Sequence, residues 1–116
     1  MLITSPFGLK RRDDMKIIEK LSSMIDDEIE DARKYAKCAL SYKEDMPSLA
    51  DTFMKLSEEE MKHMALLHNE VVDIIEEYRK NEGEPPAEML AVYEYLHNKQ
   101  IDKSAEVKAM QTMYKS

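Results

Sequence analysis

The sequence predicts an all-α protein, a long antiparallel helical hairpin followed by a third helix. Apolar residues recur at intervals of three and four over stretches of about thirty residues, the spacing of one helix face. Only two glycines and four prolines occur in 116 residues, so turns are scarce and the elements must be few and long. The strongest helix breakers fall at Pro47 and along Asn81 to Pro86, dividing the chain into three. Residues 1–116 are the length of one domain.

The first helix is expected over about residues 14–42. Asp13 and Asp14 are good N-cap types and favour the positive helix start. The apolar pattern then runs through Ile17, Ile18, Leu21, Met24, Ile25, Ile29, Ala32, Tyr35, Ala36, Ala39 and Leu40, and fades near Ser41–Asp45. Pro47 suits the first position of a second helix, where its missing N–H costs nothing. This helix is expected over 47–80, with Leu49, Phe53, Leu56, Met64, Leu67, Val71, Ile74, Ile75 and Tyr78 as its stripe. Gly83 followed by Pro85 and Pro86 reads as a C-cap and stop. The third helix is expected over 86–114, carrying Met89, Leu90, Val92, Tyr93, Leu96, Ile101, Val107, Met110 and Met113. Its weakest part, Asn98 to Ser104, invites a kink or a restart. Both connections are short, so neighbouring helices should pack antiparallel.

Composition narrows the function classes. The chain is 43% hydrophobic and 35% charged, which excludes a disordered tail. A net charge of −7 argues against nucleic acid, whose phosphates need clustered Lys and Arg. Cys38 is the only cysteine, so no disulfide within the chain and no Cys-based zinc site is expected. A reducing, cytoplasmic setting fits this. Met1 to Leu9 lacks the form of a signal peptide, and no segment has the apolar length of a membrane span. Ten methionines suggest a soft core or soft interfaces. Such long amphipathic helices often complete their core with another copy, so a homo-oligomer of at least two chains is expected.

Polar residues stand where apolar ones belong. Glu28 lies on the row Leu21, Ile25, Ala32, Tyr35, where a carboxylate is costly unless paired or bound to a cation. Glu60 and His63 interrupt the row Phe53, Leu56, Leu67, Val71, and their spacing of three projects them from one face. Glu28 is about seventeen residues before the bend and Glu60 about fifteen after it. Antiparallel packing therefore brings Glu28, Glu60 and His63 to nearly one height, a sensible donor set for iron, manganese or zinc. A single Glu-x-x-His in an acidic helix is unremarkable; the conjunction with an inward Glu on the previous helix is not.

Glu28-x6-Tyr35 followed by Glu60-x-x-His63 resembles the first half of the ferritin-like superfamily, including rubrerythrins and bacterioferritins, over about residues 14–80. The resemblance implies a four-helix bundle holding a carboxylate-bridged di-iron site, with manganese or zinc as alternative metals. It assigns Glu60 as the bridge, Glu28 and His63 as terminal ligands, and Tyr35 as a hydrogen-bond partner of a ligand carboxylate. The implied activity is ferroxidase-like, peroxidase-like or iron-handling. One departure matters: no second hairpin follows, so one chain cannot build the usual site. A two-fold dimer would supply the same ligands twice, as in the single-hairpin encapsulated ferritins, with two irons in the shared site. The rubredoxin-type cysteine pairs of full rubrerythrins are also missing. The alternative is a non-catalytic helical assembly or adaptor protein, with these residues as a relic or structural polar network. Hydrolytic zinc chemistry suits one His and several carboxylates less well.

The third helix carries a second Glu-x-x-His, Glu94 to His97. Counted from the bend near Gly83, His97 stands level with His68, so His68, Glu94 and His97 form a candidate minor site. Ordinary hydrogen-bonded histidines are the plainer reading. Glu106 lies near the height of Glu60 and is a candidate extra ligand or supporting carboxylate.

Overall fold

The computed structural model describes residues 7–116, so most of the Met1 to Leu9 stretch lies outside the described residues. It contains α1 (Phe7–Tyr42), α2 (Pro47–Glu82) and α3 (Ala87–Lys115). The first helix begins seven residues earlier than its capping residues suggested. Asp13 and Asp14 lie within it, since nothing between Gly8 and the bend breaks the helical pattern. The third helix is continuous, so the expected restart at Asn98 to Ser104 does not occur. That stretch contains no Gly or Pro, the residues that interrupt a helix most readily.

Buried positions on α1 fall at Ile18, Ser22, Ile25, Ile29, Ala32, Ala36 and Ala39, alternating steps of four and three. The same alternation on α2 joins Ala50, Met54 and Ser57 to Val71, Ile75 and Tyr78, and on α3 joins Met89 through Gln100 to Val107. A strict seven-residue repeat keeps one seam of each helix turned to its neighbours along a left-handed supercoil. Near the α1–α2 bend the seam is built of alanines, and Ala32, Ala36, Ala39 and Ala50 are all 0% exposed. Small side chains there let the two backbones approach closely. Toward the other end Ile18, Ile25, Ile29, Val71, Ile75 and Met89 form the larger apolar cluster.

The α1–α2 bend is tight. Met46 N–H donates to Tyr42 O at 2.9 Å, and Pro47 opens α2. At the second connection Gly83 takes φ 92° and ψ −160°, a backbone region essentially restricted to glycine.

The second connection does not produce the expected antiparallel α2–α3 pair. Instead α3 packs chiefly on α1 and meets α2 only sparingly. Gln100 Nε2 donates to Ser22 O at 3.2 Å and to Asp26 Oδ1 at 3.4 Å, while Arg33 Nε donates to Glu106 Oε1 at 2.9 Å. Ser22, Asp26 and Arg33 lie along one flank of α1, and among the described residues nothing covers the opposite flank of the hairpin. At the far end Ser57 Oγ donates to Ala32 O at 2.7 Å and accepts from Gln111 Nε2 at 3.0 Å, tying all three helices. The result is a lath of 66 × 22 × 17 Å. Among the described residues no helix is long and apolar enough to cross a membrane, and Cys38 is a free thiol.

Candidate metal centre

Glu28 stands one residue before buried Ile29, and Glu60 one residue before Met61, so both flank the seam between α1 and α2 rather than lying at its middle. His63 follows Glu60 by three residues and leans over the same edge. The positions in phase with them share this flank: Leu21, Met24 and Tyr35 on α1, Phe53, Leu56 and Leu67 on α2. Sequence register alone thus places an acidic group inside an apolar surround, on the face away from α3.

One ligand atom from each of Glu28, Glu60 and His63 lies within 4.8 Å of the others. His63 Nδ1 is 3.4 Å from Glu28 Oε2 and 3.5 Å from Glu60 Oε1. The carboxylates are mostly covered, with side chains 25% and 18% exposed, whereas His63 is 53% exposed and faces outward. When both carboxyls are ionised, no donor in hydrogen-bonding geometry reaches the buried Glu28 Oε2. Hydrogen bonding to Glu28, then burial, then the charge of Glu28 push the Glu60 carboxyl up to about 7. A proton thus holds together two acids that water would keep apart. A cation can take its place, because it neutralises both carboxylates and uses the orphaned oxygen. Hard oxygen donors with one imidazole fit iron, manganese or zinc.

The other sequence candidates separate from this group. Tyr35 stacks on Phe53, with centroids 6.2 Å apart. It stands two turns nearer the bend than Glu28. Glu106 pairs with Arg33 on the other flank of α1 at 2.9 Å, apart from the three residues. Its height matched Glu60, but α3 occupies the opposite side of the hairpin. His68 and His97 do meet, Nε2 to Nδ1 at 3.2 Å. Glu94 does not join them; it lines a shallow notch with Ile75, Arg79 and Tyr93, nearer the Gly83 bend. Tyr93 takes the place beside His97 instead, stacked at 5.3 Å. Gln100, Ser22 and Ser57 are buried polar residues that hydrophobic periodicity does not single out; their seven-residue phase with the core is the signal that marks them.

Compared with protein-family models, curated proteins and solved structures, the chain matches none.

Proposed function

We propose that the chain is a ferritin-like metal protein whose working unit is a two-fold dimer. In this reading each subunit contributes Glu28, Glu60 and His63 to a shared carboxylate-bridged pair of iron ions. The observation that carries the reading is the convergence of these three ligand atoms within 4.8 Å on an uncovered flank. One subunit's set is half of what two ions need, and duplication supplies four carboxylates and two imidazoles.

The surroundings support a second copy as the cover. Ile17, Met24 and Leu56 on this flank are 45%, 42% and 37% exposed. The accessible surface of 7326 Å² exceeds the roughly 6,600 Å² of a compact monomer of this mass.

Iron, when bound, supplies the Fe(II)/Fe(III) couple. The chain's own residues set the terms for it. Anionic oxygens from Glu28 and Glu60 favour the higher charge, and His63 adds a neutral nitrogen. Glu60 releases its proton as a cation enters. Leu21, Met24, Leu56 and Leu67 keep bulk water from the carboxylates once a second copy covers them. The activity that follows is oxidation of Fe(II) by dioxygen or peroxide, or iron handling coupled to it.

Elemental analysis before and after anaerobic Fe(II) loading tests the proposal. The expected result is about one iron per chain in a dimer, lost in Glu60→Ala. A metal-free wild type that still dimerises would instead favour the helical assembly module, a reading that the exposed apolar flank supports by itself.

A further inference from the structure

A groove of about 420 Å³ runs between α2 and α3, where these helices diverge. Met61, Met64 and His68 line one wall, and His97, Gln100 and Lys108 line the other. It lies on the side of the hairpin away from the acidic flank. Within it His68 Nε2 and His97 Nδ1 are 3.2 Å apart, with ring centroids at 5.0 Å.

This separation has a chemical reading beyond a hydrogen bond. Two imidazole nitrogens bound at 2.0–2.1 Å to one tetrahedral ion lie about 3.3 Å apart. The two nitrogens stand close to that spacing. Burial, and then neighbouring His97, lower the His68 pKa from its ordinary value, which keeps a lone pair available at neutral pH. Met64 precedes His68 by four residues and shares its face of α2. Its thioether is flexible and polarisable.

The donor set decides which ion. Among the described residues no Asp, Glu or Cys joins the pair in a ligand group, and the groove lining includes one charged side chain, Lys108, eleven residues beyond His97 on α3. Neutral nitrogen and thioether donors with no carboxylate among them are poor partners for hard divalent cations. Imidazole accepts copper and zinc alike, whereas thioether selects Cu(I). We propose that His68, His97 and Met64 form a second metal site that takes a single cuprous ion, independent of the acidic site in both place and chemistry.

Anaerobic titration of the full chain with Cu(I), in competition with bicinchoninate, tests this. Cys38→Ser serves as the background, so that the lone thiol contributes nothing. The expected result is one Cu(I) per chain. His68→Gln and His97→Gln should each weaken binding by more than the roughly 10–100-fold that an outer partner is worth. Met64→Leu should also weaken binding, whereas Glu60→Ala should leave it unchanged. X-ray absorption on the copper-loaded background protein should show both nitrogen and sulfur neighbours, which requires no histidine substitution to fold. Undiminished copper binding by a folded His97→Gln chain would overturn the proposal. So would a spectrum without sulfur, or preferential occupation by equimolar Zn(II).

Discussion

Glu60 keeps its proton to about pH 7 because Glu28 lies against it and burial penalises its charge. The native state therefore binds that proton more tightly than the unfolded chain, whose carboxyl titrates near 4.5. This contribution to stability is complete below about pH 4.5 and is lost as pH rises to about 7. Urea denaturation of chelated protein should show stability falling through that window, and Glu60→Gln should remove this part of the fall. A bound divalent cation should oppose it and release protons that a pH-stat can count. Ser57 makes a different test. Its hydroxyl serves Ala32 O and Gln111 together, so Ser57→Ala should cost about 1 kcal/mol by thermal denaturation. The acidic group was legible because Glu28, Glu60 and His63 interrupt apolar rows. Ser57 and Gln100 were not, since a stripe read by hydrophobicity alone skips the polar members that bond within it.

At the level of elements, the breaks were easier to read than the helix lengths. Pro47 and Gly83 act through backbone geometry, which a sequence states directly. Asp13 and Asp14 looked like caps, yet a cap preference adds only about 1 kcal/mol, and a helix pattern running through it prevails. Gly83 offers the cleanest check. A Cβ there would meet nothing within 4 Å, so any cost of Gly83→Ala belongs to the backbone alone. The expected loss is about 1–3 kcal/mol in chemical denaturation, with no repacking of the core. The side on which α3 docks was not legible, because periodicity identifies its inner face but not the helix that face meets.

For the whole molecule, the radius of gyration of 18.3 Å stands well above the roughly 13 Å of a compact chain of this length. Duplication through the acidic flank would thicken the lath without lengthening it. Sedimentation should therefore give a dimer, and Met24→Lys should return it to monomer with its helicity unchanged. Because α3 rests mainly on α1, hydrogen exchange should find its amides opening before those of the hairpin. The continuous seven-residue repeat has another consequence, for the lineages such a chain can found. A single-residue insertion in one arm rotates every later side chain by about 100° and takes the seam apart. Removing seven residues from each arm between the bend and the acidic group keeps every face in phase and shortens the span by about 10 Å. The separation of site and bend can thus drift most readily in matched steps of one heptad, a ruler built into the arms of the hairpin.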